Sequence, residues 1–466
     1  MPPRLGKLTQ LETLSEFVLK RSNGESRVLT PTVPKCLYRK GINLESLEEL
    51  EELNNLRGEL KIRNLRNVNV DYSKAANLEG KEHLKSLTLA WELDLDADDQ
   101  AANDKAQDTL QGLKPNSKLK ELGLFGYRGD KLSDWLLSLT NLVKFSLQKC
   151  ECKSLQPLTQ LTAVKVLILD NMPNLKYISN KSGDHNSESN PSSSTEFIKK
   201  LEEVRFTELP DLEGRWEEGD ASLAFPRLSK LMIEDCPKLC SMPLYPNLKE
   251  WLVLKNTSLV PFINTSMTDE SSIKQTLMND GSSSSTPLSK LQSLCIIGDK
   301  VLGSEYDQIV WKSLKSLRFL RFDHLPELEN LPEGLKDVFT TLQELEIWCC
   351  TIESLPGYIG KFKPLKRLGL FSCPNLKSLP KRTQFHLETL ENVDCPTLLK
   401  RCQKETGADW KRIKYIDNIL LQQQPQDHIS RISEDDALKN NTSLYKYYWD
   451  PKYGKKSATI KRIVLK

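Results

Sequence analysis

The stretch LQELEIWCC, residues 342–350, carries the spacing that decides the fold. Leu342, Leu345 and Ile347 follow the phrase L-x-x-L-x-L, and Cys350 stands three residues after the last apolar position. In an extended strand, alternate side chains face opposite sides. Leu345 and Ile347 are therefore expected to point into one core, while Glu346 points away from it. A single phrase of this kind cannot bury its own apolar side, but copies stacked side by side can.

The same phrase recurs along most of the 466-residue chain, with a period of about 20 to 27 residues except in three longer repeats. Its twelve clear copies begin at Leu84, Leu119, Leu142, Val164, Leu201, Leu228, Leu248, Leu291, Leu317, Leu342, Leu365 and Leu387. Two degenerate copies are expected before them, near Leu11 to Leu14 and near Leu53 to Ile62. This repetition predicts an α/β repeat fold: a leucine-rich-repeat solenoid, or horseshoe, with a parallel concave sheet and an irregular convex side.

The copies are predicted to form one solenoid over residues 1–416, with about 12 to 14 irregular repeats. Three acidic or Ser-rich insertions are expected to be loops, because they bury too little apolar surface to offset chain entropy. They lie near residues 92–110, 180–196 and 260–287. Residues 397–416 are expected to cap the apolar end of the stack. The periodicity has ended by residues 417–466, which are expected to be a disordered tail.

Charge and apolar content exclude several classes of partner. The 66 basic and 63 acidic side chains leave a net charge of +3, so no overall field favours nucleic acid or an anionic membrane. No stretch approaches the roughly 18 consecutive apolar residues of a membrane span. The segment from Met1 to Lys20 is charged and polar throughout, unlike a signal peptide. We therefore expect no nucleic-acid partner, no membrane span and a cytoplasmic location.

Five of the eleven cysteines share one position of the repeat, three residues after the last apolar residue of the phrase. We call this position the slot, and its cysteines are Cys150, Cys236, Cys350, Cys373 and Cys395. Met172, Leu209 and Leu325 hold the slot elsewhere, and Asn256 is assigned to it in the Leu248 repeat. Apolar substitutes indicate a buried position. The slot thiols are therefore predicted to be packed, reduced and inert, and the sequon at Asn256 to carry no glycan.

The sequence contains no recognisable nucleotide-binding or catalytic motif. The nearest text to a phosphate-binding loop is GYIGKF, residues 357–362. It has the wrong glycine spacing and lacks the hydroxyl that holds magnesium, so it is predicted to be a turn. The signatures of zinc proteases, α/β-hydrolases and dinucleotide-binding folds are also missing. The chain is predicted not to be an enzyme and to bind no cofactor.

The metal-binding residue types also lack a recognisable arrangement. Cys150 with Cys152, and Cys236 with Cys240, are close in sequence, but neither pair has a partner pair at zinc-finger spacing. No metal site is therefore predicted. The histidines interpreted as surface or packing residues rather than bases are His83, His324 and His386.

Residues between and just after the core positions are predicted to face outward on the concave side, and they are the candidates for partner binding. In the later repeats they mix charged with aromatic side chains, and exposed Trp and Arg are frequent anchors of protein interfaces. The candidates are Arg205, Lys230, Arg321, Asp323, Glu344, Glu346, Trp348, Arg367 and Phe371. The alternative is that the charges only keep the sheet soluble and that Trp348 and Phe371 lean against each other.

Several longer stretches carry a family resemblance: LGKLTQLETLSEFVL from Leu5, LNNLRGELKIRNLRNV from Leu53 and AANLEGKEHLKSLTLAW from Ala75. Together with the ending CPTLLKRCQKETGADWKRIKYI from Cys395, they resemble the repeat region of plant intracellular nucleotide-binding leucine-rich-repeat immune receptors of the coiled-coil class. The resemblance covers about residues 1–417. The family's coiled coil and nucleotide-binding domain are not found in this sequence, so a receptor fragment or a truncated gene product is expected.

The resemblance implies a role in defence, with the concave sheet recognising a pathogen effector or a guarded host protein. A second function is a regulatory scaffold that holds a nucleotide-binding signalling domain inactive, a role that falls mainly to the N-terminal repeats of such receptors. A third is a substrate adaptor of a ubiquitin ligase, although no segment resembles an adaptor-binding helical box. The family's ATP or ADP binding cannot be carried over to any residue here.

Overall fold

The computed structural model describes residues 5–19, 47–68, 73–91, 100–153, 155, 161–178, 197–214, 224–268, 286–298, 304–361, 363–380 and 385–423. Within these ranges, fifteen strands form one parallel sheet in which each strand pairs with its neighbours in chain order. The strands are β1 (Glu16–Val18), β2 (Gly58–Arg63), β3 (Leu84–Ala90), β4 (Glu121–Phe125), β5 (Lys144–Gln148), β6 (Val166–Asp170), β7 (Glu203–Thr207), β8 (Lys230–Glu234), β9 (Trp251–Lys255), β10 (Ser293–Ile297), β11 (Phe319–Asp323), β12 (Glu344–Trp348), β13 (Arg367–Phe371), β14 (Thr389–Val393) and β15 (Asn418–Gln422). This open parallel sheet confirms the predicted leucine-rich-repeat solenoid.

Short helices connect many of the strands. The α-helices in the described ranges are Gln100–Gly112, Val260–Met267, Ser304–Ser313, Pro396–Cys402 and Trp410–Ile413. The 3-10 helices there are Leu5–Lys7, Leu47–Leu50, Leu65–Asn67, Lys74–Ala76, Asp134–Ser138, Glu333–Thr340 and Ile359–Lys361. Within the part of the chain that the structure describes, no helix has the length and apolar character that crossing a membrane requires.

The core lies along one side of the sheet, where the predicted apolar positions stack. Leu345 and Ile347 of β12 are fully buried. Leu345 is in register with Leu320 of β11 and Leu368 of β13, so equivalent leucines of successive repeats pack directly on one another. Removing each such side chain from water contributes roughly 1.5 to 3 kcal/mol. The repeats are therefore stabilised mainly by contacts with their nearest neighbours.

Each strand from β4 to β14 ends in a tight turn that repeats along the solenoid. The residue after the strand adopts a left-handed backbone, which is uncommon outside glycine and is best tolerated by Asn and Asp. Its N–H donates to the last carbonyl of the next strand, as in His324 to Trp348 at 3.0 Å and Cys349 to Phe371 at 2.8 Å. At Gly298, φ is +106°, and an added Cβ would lie 2.0 Å from Asn256 Oδ1, so this turn requires glycine.

The five slot cysteines are free thiols and fully or almost fully buried, as predicted. Each Sγ lies within hydrogen-bonding distance of the carbonyl two residues earlier; the Sγ–O distances include 3.0 Å for Cys350 to Trp348 and 3.2 Å for Cys236 to Glu234. Burial raises the pKa of Cys150, Cys236 and Cys350 to about 12. These thiols are therefore kept in the protonated, unreactive form near neutral pH.

The assignment of Asn256 to the slot is wrong. The strand residues of that repeat that lie in the main core are Leu252 and Leu254, one position later than Trp251 and Val253. The slot consequently falls on Thr257, which is buried and donates through Oγ1 to the Cys236 carbonyl at 2.8 Å. Asn256 is instead exposed in the left-handed turn, so burial gives no reason to exclude a glycan at its sequon.

Thiol labelling of the native, reduced protein tests the burial of the slots. We expect Cys150, Cys236, Cys350 and Cys373 to resist a thiol reagent until the protein is unfolded, because each is at most 1% exposed. Cys240 is exposed in the same chain and is the internal positive control. Mass spectrometry after proteolysis locates the label. Modification of the slot cysteines as fast as Cys240 would contradict the buried register.

The structure corrects parts of the expected domain organisation. The acidic insertion near 92–110 is not a loop throughout, because helix Gln100–Gly112 begins inside it. The insertion near 260–287 likewise begins with helix Val260–Met267. The expected tail from residue 417 begins with β15, which extends the sheet by pairing with β14. Residues 92–99, 180–196, 269–285 and 424–466 lie outside the described residues.

Candidate recognition surface on the sheet

The side chains that alternate with the core residues share the opposite side of the sheet, which we call the sheet face. All nine residues chosen as binding candidates occupy these alternate positions of β7, β8 and β11–β13, as the alternation predicted. The structure divides them into two groups separated by β9 and β10. The first group is Arg205 and Lys230, and the second holds Arg321, Asp323, Glu344, Glu346, Trp348, Arg367 and Phe371.

The first group is a half-buried pair of cations. Arg205 Nε lies 2.6 Å from Glu203 Oε1, and the Lys230 ammonium lies 3.8 Å from Glu203 and 3.5 Å from Glu250. The Arg205 guanidinium also lies 5.6 Å from the ring centroid of Trp251, within cation–π range. About 30% of each cationic side chain remains exposed, so both charges can reach an incoming partner.

An apolar patch, which we define as Trp251, Val253 and Cys295, lies between the two groups. These side chains are at most 5% exposed, and the partly buried hydrophobic residues packed against them are Met232, Ile297 and Phe319. Sequence reasoning missed the patch because Trp251 and Val253 were assigned to the core. The continuous apolar run WLVL was the available signal, since a parallel strand covered on both faces loses polar alternation.

The second group is a buried network of opposite charges. Arg321 donates from Nε and Nη2 to Asp323 Oδ2 at 3.1 and 2.5 Å, and its Nη1 lies 3.7 Å from Glu346 Oε2. Arg367 forms a short hydrogen bond to Glu346 and donates to Glu391 Oε2 at 2.5 Å. Arg321, Asp323 and Glu346 are all less than 10% exposed. They are therefore internal ion pairs, in contrast to the free surface charges that the sequence predicted.

The charges in this network set one another's protonation. Burial acts to raise the pKa of Asp323, but hydrogen bonds from His324 and Arg321 outweigh it, and the pKa is lowered. Burial likewise acts to lower the pKa of Arg321 and Arg367, and neighbouring carboxylates raise it instead. Hydrogen bonds with Asp323 and then Cys349 raise the pKa of His324 to about 10. All four groups are therefore ionised at neutral pH.

The two aromatic candidates are packed together. The rings of Trp348 and Phe371 stack with centroids 3.8 Å apart at an interplanar angle of 14°, and the Arg321 guanidinium lies 4.5 Å from the Trp348 ring centroid. Trp348 Nε1 donates to Glu346 Oε2 at 3.0 Å. Phe371 is only 9% exposed, so the prediction of two exposed aromatic anchors is wrong for it. The contact between the two rings was the alternative that the sequence left open.

Comparison with known proteins finds similarity to plant disease resistance proteins and to a family of leucine-rich repeats. Residues 47–172 match the family model described as R13L1/DRL21 LRRs. The chain is 29% identical over 428 residues to the putative disease resistance protein RGA1 of Solanum bulbocastanum, covering 90% of the chain and 37% of that relative. It is 31% identical over 425 residues to RGA4 of the same species, covering 90% and 38%. It is 32% identical over 206 residues to the putative disease resistance RPP13-like protein 1 of Arabidopsis thaliana, covering 41% and 19%.

The chain thus spans well under half the length of these relatives. Among solved structures, it is similar to a chain of the mouse RP105/MD-1 complex, with a TM-score of 0.41 and 14% identity over 76% of this chain and 55% of that one. It is also similar to a chain of the Toll–Spatzle complex of Drosophila, with a TM-score of 0.36 and 12% identity over 82% of this chain and 39% of that one.

Proposed function

Because this chain is a leucine-rich-repeat region related to those of plant disease resistance proteins, we propose that it is a protein-recognition module of an immune receptor. Its ligand in this proposal is a pathogen effector or a host protein that the receptor guards. The binding surface is the sheet face from β7 to β13, and the ligand binds in direct contact with the side chains of this face.

The observation that carries this proposal is the arrangement of apolar and charged side chains along the sheet face. An apolar patch is flanked on one side by Arg205 and Lys230 and on the other by the buried charge network. Protein interfaces have the same organisation, with an apolar centre depleted of charge and a polar rim. A partner that fits would present an apolar segment to the partly buried Met232, Ile297 and Phe319 around the patch, and carboxylates to Arg205 and Lys230.

The two charged groups would contribute differently to binding. Arg205 and Lys230 keep exposed area, so they can form new pairs with a ligand and accelerate its association. The charges around Arg321 and Glu346 are already paired with one another, so this network would act mainly by fixing the shape of the surface. Trp348, stacked but still partly exposed, is its best placed aromatic contact.

A binding screen of purified effectors and host proteins against the whole chain, followed by substitution in the first group, tests the proposal. We expect Arg205→Glu and Lys230→Glu together to weaken affinity for a ligand found in the screen by roughly 1 to 4 kcal/mol. Reversal turns attraction for ligand carboxylates into repulsion. Surface plasmon resonance measures affinity and association rate, and the loss should be concentrated in the association rate as salt is lowered.

Lys238→Glu is the matched control, because Lys238 is an exposed cation outside the sheet that is likewise paired to a carboxylate, Asp211, at 2.6 Å. It should leave affinity unchanged. Thermal unfolding of each variant reports whether the fold is retained. A ligand whose affinity responds equally to all three substitutions, or to none, would place recognition elsewhere and favour the regulatory-scaffold function of the N-terminal repeats.

A further inference from the structure

A second cluster of polar side chains lies where β11 and β12 end. The carboxylate of Asp323, the imidazole of His324 and the thiol of Cys349 each offer one potential ligand atom, and these three atoms lie within 4.8 Å of one another. Asp323 Oδ1 and His324 Nδ1 are 2.6 Å apart. Among the residues that the structure describes, no other three His, Cys, Asp or Glu side chains meet at this distance.

The backbone holds two of these side chains beside each other. His324 and Cys349 occupy the same position of consecutive repeats, the left-handed turn after the strand, with φ of 50° and 49°. Both N–H groups are fixed by the carbonyl that ends the next strand. Since a precise ligand geometry depends on rigid support, this repeated turn is a suitable scaffold for a bound ion.

Arg321 holds the third side chain in place. It binds Asp323 Oδ2 through two hydrogen bonds, at 3.1 and 2.5 Å, and leaves Oδ1 directed at His324. Outer-shell partners of this kind orient metal ligands and contribute substantially to metal affinity. Asp323 is buried, whereas His324 is exposed and Cys349 partly so, which leaves a route to solvent.

The charged side chains around the cluster carry a net negative charge, which favours the binding of a cation. Among the described side chains, its fixed cations are Arg321 and Arg367, and its carboxylates are Asp323, Glu344, Glu346 and Glu391. With the His324 imidazole protonated, four carboxylates against three cations leave one negative charge. Zinc binding releases the imidazole and thiol protons, and the three negative charges that this leaves are reduced to one by the divalent ion.

The geometry points to a zinc site formed by Asp323, His324 and Cys349. Zinc combines thiolate, imidazole and carboxylate ligands, at distances of about 2.3, 2.0 and 2.1 Å. A tetrahedron with those bonds has ligand atoms roughly 3.3 to 3.7 Å apart. Zinc would therefore replace the hydrogen bond between Asp323 and His324 after these side chains separate by about 1 Å. The fourth position is left for water or a partner's side chain.

Such an ion would join β11 to β12 at the edge of the proposed recognition surface, directly after Trp348. Binding to the folded state alone stabilises a protein in proportion to the logarithm of free metal concentration. Zinc should therefore raise the melting temperature of the chain. The site does not depend on the proposed immune function, since its ligands all come from this chain.

Zinc titration of the full reduced chain, freed of metal with a chelator, tests the site. We expect one zinc ion to bind per chain at this site, measured in competition with a chromophoric chelator. Cobalt bound there should give a thiolate-to-cobalt charge-transfer band. His324→Asn and Cys349→Ser should each weaken binding at least tenfold, and Cys349→Ser should abolish the band. Both replacements suit the backbone, because Asn171 and Asn256, and Ser372, occupy the same left-handed turn in other repeats.

His386→Asn and Cys240→Ser are the matched controls, since both replace exposed residues outside the cluster. They should leave binding, the cobalt band and the rise in melting temperature unchanged. In chelator, all four variants should unfold in one cooperative transition, which shows that they fold; His324→Asn should melt below the parent chain, because it also loses the bond to Asp323. Absence of zinc binding by the parent chain, or binding that survives both His324→Asn and Cys349→Ser, would overturn the site.

Discussion

Replacing Glu346 with alanine is expected to lower the free energy of unfolding by about 3 to 5 kcal/mol, because it removes one partner of a buried ion-pair network. Glu346 is 7% exposed. It accepts hydrogen bonds from Arg367 and from Trp348 Nε1, and its other close contact is Arg321 Nη1 at 3.7 Å. Without it, the buried Arg321 keeps its ion pair with Asp323 but loses the carboxylate on its other side, and Arg367 loses one of its carboxylate partners.

Glu344 provides the control in the same strand. It also contacts Arg367, at 3.4 Å, but its side chain is 46% exposed, so Glu344→Ala should cost less than about 1 kcal/mol. Chemical denaturation of both variants measures the difference. Glu346→Gln, which keeps the shape and removes the charge, should fall between them. Equal losses for Glu344→Ala and Glu346→Ala would show that the network is hydrated and that its burial contributes little.

The spacing of apolar residues was sufficient to predict the architecture. Leu345 and Ile347 are buried and Glu346 is on the opposite face because a strand has a period of two, and the repeat places equivalent residues in register. The prediction failed at β9, where an extra residue separates Leu248 from the buried Leu252. Because that strand has apolar side chains on both faces, either set of alternate residues could be the core-facing one. The sequence alone did not decide between these two registers.

The predicted positions of these residues on the sheet face are confirmed, the prediction of their environment is wrong, and their role in binding stays a prediction. Outward charges were expected to be hydrated, yet Arg321, Asp323 and Glu346 are buried against one another. Pairing depends on which charges meet across neighbouring strands, and that follows from register as much as from residue type. Arg321 and Glu346 are direct partners in the ladder, so aligning the repeats by strand position would have revealed the pair.

The same reasoning explains why the Asp323, His324 and Cys349 cluster was missed. Zinc motifs are recognised by ligands close together in sequence, whereas His324 and Cys349 are one whole repeat apart. Their common position after the strand is visible only when the repeats are superimposed. In a solenoid, residues at equivalent positions of neighbouring repeats lie next to each other. Two ligands of one metal site can therefore be separated in sequence by a whole repeat.

Replacing Asp409 with alanine should destabilise the C-terminal end of the solenoid and lower its free energy of unfolding by about 3 to 5 kcal/mol. Asp409 is fully buried between helices Pro396–Cys402 and Trp410–Ile413. Its carboxylate accepts two hydrogen bonds from Arg401, at 2.9 and 3.0 Å, and one from Arg412 at 2.8 Å. A further bond from the Leu379 N–H, at 3.3 Å, ties this cluster to the preceding repeat.

Because repeats are stabilised by their neighbours, the loss of stability should be greatest in the repeats next to the cap and small in distant repeats. Hydrogen exchange of Asp409→Ala is expected to accelerate in β14 and β15, which the cap adjoins, and to stay unchanged in β3 to β5. Lys411→Ala, an exposed change within the same cap, should affect neither region. Uniform acceleration along the whole sheet would mean that the solenoid unfolds as a single unit. Unchanged exchange in β14 and β15 would mean that the buried carboxylate contributes little to holding the cap.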